Sequence, residues 1–409
     1  MARAGLARVR TGFGWRGLVA GSALIVAATV LAGTVSAGGA AAASRGASGA
    51  SGATGPVCGK AAGPFTVSGT QVLGAGGKPF VSNGLTVPGL QGPDWGSSVS
   101  DDLDEINAAA DDWCANTVRL QLDQDDLLGT QGTGFDKGYL AAIESEVSQA
   151  ESDNLVVVLN DETNYAPVSV AGSQLGPTTA TETFWKDLVQ LYGDDPQVVF
   201  DLFNEPRTYS PGMSSAQEWK LWLDGGQYEG VSYLGMADLA GYVRNSLSAK
   251  NLFWIEGPDW SSSFAGMVQQ GALLQVSNVV YAVHHPAGQA DPSSWNADFG
   301  YLVTSGAGAV VEGEWTNYEP TGTAQPSGGG SCWPNAPTAV PEFLEYLAAR
   351  GIGLSAYTLQ SGYLIKSDSD MGAPNTINAK TWTCQLSQES QPGQGAGTEI
   401  MSWFKQRNS

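Results

Sequence analysis

Two short stretches of this chain set a glutamate where an apolar run stops and a polar loop begins: Phe203-Asn204-Glu205-Pro206-Arg207 and Val311-Glu312-Gly313-Glu314-Trp315. A facing pair of carboxyl groups is what cleavage of a glycosidic bond requires. One protonates the leaving oxygen while the other attacks the anomeric carbon. Imidazole chemistry is poorly supplied, because the only histidines are the adjacent His284 and His285. No Gly-x-Ser-x-Gly elbow is present, so a peptidase or esterase lacks its constellation. There is no CxxC pair, no P-loop and no GxGxxG after a strand, so neither a metal nor a cofactor is expected.

Such glutamates need a rigid frame. Eight β-rich runs succeed one another along the chain: Val81 to Val87, Asn116 to Leu122, Leu155 to Asp161, Val198 to Asn204, Leu252 to Gly257, Val279 to His284, Ala309 to Trp315 and Ile352 to Leu359. Several are apolar without alternation, the mark of strands covered on both faces in a parallel sheet. Helical patterns lie between them at Asp101 to Trp113, Lys137 to Asp153, Thr181 to Tyr192, Met236 to Leu247 and Pro341 to Arg350, with weaker ones at Ser261 to Gln270, Pro292 to Val303 and Thr398 to Lys405. Eight strands with helices between them predict an α/β fold, a (β/α)8 TIM barrel. A hairpin around Gly74 to Gly77, within Phe65 to Phe80, precedes it. In such a barrel the carboxyl ends of the strands carry the chemistry, and both glutamates stand there, after strands four and seven.

The chain has 409 residues, with 19 Lys and Arg against 40 Asp and Glu, a net charge of −21. A surface that acidic repels phosphate backbones and anionic lipid, so neither nucleic acid nor a membrane surface is expected as a partner. Residues 1–43 begin with Arg3, Arg8, Arg10 and Arg16, continue through an apolar stretch and leave through small residues, the pattern of a secretory signal peptide. An uncleaved membrane anchor is the alternative. Residues 44–57, rich in Ser, Gly and Ala, read as a linker, and 58–409 as one catalytic domain acting as a monomer. Four cysteines, Cys58, Cys114, Cys332 and Cys384, imply two disulfides with three possible connectivities. Cys58 with Cys114 is favoured because the hairpin should cover the barrel end where Cys114 precedes strand two. Cys332 and Cys384 follow strands seven and eight on the opposite face.

The Asn-Glu-Pro after strand four and the Gly-Glu-Trp after strand seven resemble motifs of the retaining (β/α)8 glycoside hydrolases, most closely glycoside hydrolase family 5, the cellulase-like family. The resemblance runs from about Phe65 to Lys405. It implies that Glu205 is the general acid/base, that Glu314 is the nucleophile, and that Asn204 binds the sugar hydroxyl beside the anomeric carbon. It matches Arg119 to the arginine that supports the nucleophile and His284 to the histidine after strand six. Three places depart from the pattern. Strand three ends in Asn160-Asp161-Glu162 where Asp-x-His is common, Pro286 stands where a tyrosine is frequent, and Tyr357 takes the place of a strand-eight tryptophan.

The expectation is a secreted retaining β-glycosidase acting on a neutral β-linked polysaccharide or oligosaccharide, an endo-β-glucanase. A mannan-directed or exo-acting enzyme and a non-catalytic carbohydrate-binding protein are the alternatives. Glu312, two residues before Glu314 and so on the same strand face, is the rival nucleophile. Arg119 is expected to lower the pKa of Glu314. Trp260, Trp315 and Tyr357 are candidate sugar platforms; for Trp95 and Trp295 loop packing is an equal alternative. Glu256 and Asp259 are candidates for hydrogen bonds to sugar hydroxyls.

Overall fold

Val156-Val157-Val158-Leu159 and Val279-Val280-Tyr281-Ala282-Val283 are apolar on both faces, so neither face can be left to water. The computed structural model describes residues 58, 61–91, 98–129, 137–162, 176–207, 213–228, 230–285, 291–319, 331–384 and 394–408. These residues fall in the unit Thr54–Ser409, and the expected signal peptide and linker lie outside the described residues. Eight strands pair in parallel: β1 (Asn83–Val87), β2 (Thr117–Leu122), β3 (Val156–Asp161), β4 (Val198–Asp201), β5 (Leu252–Glu256), β6 (Val279–Val283), β7 (Ala309–Trp315) and β8 (Gly353–Ala356). They follow chain order, and β8 closes on β1 with Leu354 opposite Asn83. The (β/α)8 barrel expected from the eight runs is the fold.

Alternation along each strand sorts the side chains into two layers. Val156, Val158, Val199, Leu252, Trp254, Val280, Ala282, Ala309 and Val311 pack together inside the barrel. Their neighbours Val157, Leu159, Phe200, Phe253, Ile255 and Val310 face outward into a second core beneath the helices. The helices are α1 (Val99–Asp111), α2 (Lys137–Ser152), α3 (Thr179–Tyr192), α4 (Ser215–Asp224), α5 (Met236–Gly241), α6 (Ala336–Arg350) and α7 (Gly397–Arg407), beside shorter helical turns. Ser98 caps α1 and Asp101 returns the bond, a capping box that fixes where the helix starts. The expected hairpin is present and larger: Thr66–Ser68, Gln71–Leu73 and Pro79–Phe80 form a three-stranded antiparallel sheet. Phe65 beside it joins the interior cluster, with Val67, Val72 and Phe80 packed against it, so this sheet closes the amino end of the barrel.

Several elements differ from the sequence reading. Ser261 to Gln270 forms turns and no helix, because Asp259, Trp260 and Ser261 have φ of 55°, 61° and 53°, left-handed values from which a right-handed helix does not start. Met236 to Leu247 divides into α5 and a π-helical turn at Tyr242–Ser246. Helix α6 begins five residues before Pro341 and holds that proline inside it. A second hairpin, Gly225–Tyr228 with Val231–Leu234, has no counterpart in the sequence reading.

Both expected disulfides are formed, Cys58 with Cys114 and Cys332 with Cys384. The first ties the segment leading into the closing sheet to the chain just before β2 and spans a sequence separation of 56. Replacing Cys58 and Cys114 together by alanine is expected to cost about 2–4 kcal/mol of unfolding free energy. Urea titration of both forms measures it, and an unchanged midpoint would contradict the role assigned to the bridge.

Candidate active site

Towards the carboxyl ends of the strands the inward-facing positions turn from apolar to polar. Strand β2 reads Thr-Val-Arg-Leu-Gln-Leu; Val118, Leu120 and Leu122 lie in the outer core, which turns Arg119 and Gln121 inward. The same alternation turns Asn160 of β3, Asp201 of β4 and Glu256 of β5 inward, above Val158, Val199 and Trp254. His284 follows Val280 and Ala282 just beyond β6. Strand β7 needs a further device. Its pairing with β8 slips between Glu312 and Trp315, a β-bulge that adds one residue. A Cβ on Gly313 would meet Ala282 and His284 at 3.1 Å, so Gly313 faces inward, and the extra residue brings Glu314 in beside it. Glu312 keeps the outward register and accepts the backbone N–H of His285 at 2.8 Å. The expectation that Glu312 and Glu314 share a face is therefore corrected by the bulge.

Arg119 is the centre of the resulting cluster. Its Nε donates to Asp201 Oδ2 at 2.8 Å, Nη1 to Glu314 Oε2 at 2.7 Å, and Nη2 to Asn204 Oδ1 at 2.5 Å and Glu256 Oε1 at 3.0 Å. His284 Nδ1 lies 3.0 Å from Glu205 Oε1, and its Nε2 forms an ion-pair contact of 3.2 Å with Glu256 Oε1. One side-chain ligand atom each from Glu205, His284 and Glu314 lies within 4.8 Å of the others. The side chains of Arg119, Asp201 and Glu256 are wholly enclosed, whereas those of Glu205 and Glu314 keep 25% and 20% of their surface. The two glutamates are therefore the acids of this network that an incoming molecule can touch.

Burial and charge set the protonation states. Burial raises the pKa of Glu314 above its usual 4.5, outweighing the opposing pull of His284 and Arg119. The expected lowering by Arg119 operates, but desolvation is the larger effect. Burial also lifts Glu256 to about 7 against the pull of His284. Burial disfavours the His284 imidazolium, yet the charge of Glu256 and the contacts with Glu205 and Glu256 hold its pKa well above the usual value. Both ring nitrogens then carry a proton, Nδ1 beside Glu205 and Nε2 in ion-pair contact with Glu256. Glu162 and Glu312 are pushed well up by burial.

Three participants lie outside the residues singled out by sequence. Gln121 Nε2 donates to Glu314 Oε2 at 2.9 Å and to Glu162 Oε2 at 3.2 Å, and Gln91 Nε2 donates to Glu162 Oε1 at 2.8 Å. Asp201 anchors the guanidinium, and Glu256, a candidate sugar contact by sequence, is enclosed within the network. For Gln121, Asp201 and Glu256 the signal in the sequence is a polar residue at an inward position of an otherwise apolar strand; Gln91, in the helical turn Gly89–Gln91, has no such signal.

The aromatic candidates divide. Trp260 lies beside the Glu205 segment, its N–H bonded to Pro206 O at 3.1 Å and its ring 4.1 Å from the Arg207 guanidinium carbon. Tyr357 stands at the end of β8, with its N–H bonded to Trp315 O at 2.9 Å and its ring 5.4 Å from that of Tyr363. Trp315 as a sugar platform is corrected: following the inward Glu314, it faces outward and packs on Phe343 at 5.0 Å and Trp333 at 5.2 Å. Trp295 is likewise core, against Trp333 and Phe343. Trp95 and Pro286 lie outside the described residues.

With this geometry in view, the chain matches the cellulase family (glycosyl hydrolase family 5) over residues 73–362. It is 30% identical over 206 residues to a probable endo-β-1,4-glucanase B of Aspergillus kawachii, covering 49% of this chain and 54% of that protein. An endoglucanase of Microbulbifer sp. is 24% identical over 151 residues, covering 36% of this chain and 27% of that protein. The chain thus spans about half or less of the length of these curated relatives. The catalytic domain of Thermobifida fusca endoglucanase Cel5A shares the fold, with a TM-score of 0.54 at 20% identity over 84% of this chain and 97% of that domain.

Trp315→Ala is expected to act as a core truncation and to cost about 3–5 kcal/mol of stability. Its folded fraction, measured by active-site titration or near-ultraviolet dichroism, should retain the KM of the parent. A stable variant with a raised KM would restore Trp315 to the substrate cleft.

Proposed function

The chain belongs to glycosyl hydrolase family 5, and on that premise we propose that it is an exported, retaining β-glycosidase that cleaves a neutral β-glucan within the chain. The observation that carries this reading is the approach of Glu205 and Glu314, whose carboxylate oxygens come within 4.8 Å of one another beside His284. Retention uses carboxyl groups about 5–5.5 Å apart, while inversion needs about 6.5–9.5 Å to seat a water between them. The short separation supports retention.

In this mechanism Arg119 and Gln121 both hold Oε2 of Glu314, which leaves Oε1 as the attacking oxygen. Oε1 bonds to the anomeric carbon as the carbon–oxygen bond to the leaving sugar breaks, and Glu205 supplies the proton to that oxygen. Water then attacks the same carbon, Glu205 takes its proton, and the ester to Glu314 is released. Asn204, fixed by Arg119, is positioned to bind the neighbouring hydroxyl. Trp260 and Tyr357 supply aromatic surface to the substrate.

The names of both curated relatives support a β-glucan and endo action. A net charge of −21 suits an uncharged polymer. Export rests on the signal pattern of residues 1–43, with 44–57 as a linker and 58–409 as the catalytic domain.

Hydrolysis of a panel of β-glucans and β-mannan, followed by proton NMR, tests the reading. The first-formed product should keep the β configuration, Glu314→Ala should leave no detectable turnover, and Glu205→Ala should lose about 10²–10⁴-fold in kcat. Binding without hydrolysis by the parent chain would make it a carbohydrate-binding protein, and cleavage of mannan alone would overturn the glucan assignment.

A pH profile gives an independent check. Glu314 must be ionised to attack, and burial raises its pKa, so kcat/KM should fall on acidification with a midpoint above 4.5. An acid limb below 4.5 would contradict that environment.

A further inference from the structure

Both glutamates of the proposed mechanism are held by intermediaries, and the intermediaries meet at one side chain. Glu256 Oε2 accepts the backbone N–H of Glu205 at 2.5 Å. Its Oε1 accepts Arg119 Nη2 at 3.0 Å and faces His284 Nε2 at 3.2 Å. Arg119 passes the contact on to Glu314, and His284 to the Glu205 carboxyl. The Glu205 backbone has φ 44°, in the left-handed region that a non-glycine residue keeps only when its surroundings hold it there. Glu256 is itself well anchored: it lies opposite Ala282 in the sheet, and its carbonyl accepts Trp222 Nε1 of α4 at 2.9 Å.

We infer that Glu256 is the positioning residue that sets the two glutamates relative to each other, fixing the main chain under Glu205 with one oxygen and the partners of both carboxyl groups with the other. This rests on the reading of Glu205 as acid/base and Glu314 as nucleophile. Charge balance alone does not require these contacts, since Asp201 and Glu314 already pair with Arg119. The bond to the Glu205 N–H and the contact with His284 are placements that counter-ion duty leaves unexplained. The charged groups facing the imidazole are Glu205, Glu256 and Glu314, with Glu312 behind it on β7 and Arg119 sharing Glu256.

Two substitutions in the full chain separate reach from charge. Glu256→Gln keeps the shape but turns an NH2 towards one of the donors, whereas Glu256→Asp keeps the charge and is one methylene too short to span both. Both are expected to lower kcat on the best glucan by about 10²-fold while KM changes by less than about threefold, the pattern of misplaced reacting groups. The chain has two histidines, so an imidazole NMR titration, assigned with His285→Gln, follows His284 directly. Its titration should move to lower pH in Glu256→Gln and stay raised in Glu256→Asp. If Glu256→Gln fails to fold, as judged by circular dichroism, the kcat and KM of Glu256→Asp decide alone. Retention of the parent kcat in either folded variant, a loss carried by KM, or an unmoved His284 titration in Glu256→Gln would overturn the inference. A parent chain that hydrolyses no glycan would defeat the proposed function instead, and the His284 titration would still read the contact.

Discussion

Arg119 is a guanidinium with no surface open to solvent, and much of the site is arranged to make that tolerable. Removing such an ion from water costs several kcal/mol, which attraction offsets only when the geometry is good and the donors are used. Asp201, Glu256, Glu314 and Asn204 meet that demand from strands β4, β5 and β7 and the segment after β4. A single helix or hairpin cannot gather partners so far apart in sequence. A closed barrel can, because every strand ends on the same rim. Buried ion pairs are weak evidence for stability. Their upkeep here is better explained by what they hold in place.

The barrel interior is divided along its axis. Its amino half is a packed floor of Val, Leu, Ala and Trp side chains, closed beneath by Phe65. Its carboxyl half is a pit of acids around two cations. Asp201, Glu205, Glu256 and Glu314 outnumber Arg119 and His284 there, and Glu162 and Glu312 stand close by. Low dielectric makes like charges expensive, so the surplus is relieved by protons: His284 keeps its second one, and Glu162 and Glu312 have strongly raised pKa values. The aromatic shell between β7 and α6, built on Trp295, Trp315, Trp333 and Phe343, packs rigidly behind the strand that carries Glu314.

Some of this was legible in the residues. Apolar runs of strand length, separated by helical patterns, gave eight strands in the right order, because a strand covered on both faces has no polar alternation to hide it. The polar interruptions at strand ends gave Glu205 and Glu314, the family resemblance added Arg119 and His284, and the structure brings all four together. Chain order around a barrel also sufficed to pair the cysteines. The misreadings have local causes. Strict alternation sets Glu312 on the face of Glu314, and a one-residue bulge at Gly313-Glu314 shifts that register; Trp315 is a candidate platform by sequence only from its place at a strand end. The helix read at Ser261 to Gln270 failed because Asp259, Trp260 and Ser261 adopt a left-handed backbone that their residue types do not announce. Gln121 went unremarked because an amide near a strand end looks like surface until the opposite strands are in place.

The sequence by itself determined the class of fold, the strand order and the identity of the polar residues at the barrel rim. These follow from periodicity and from the rule that apolar surface is buried, both of which act over a few residues. The tertiary structure alone decided which polar residues touch, that Glu314 and not Glu312 turns inward, and that Glu256 joins both halves of the site. Those facts depend on bulges, left-handed turns and closure of the barrel. They arise from contacts between strands some 50 to 200 residues apart in the chain, and no local pattern encodes such distances.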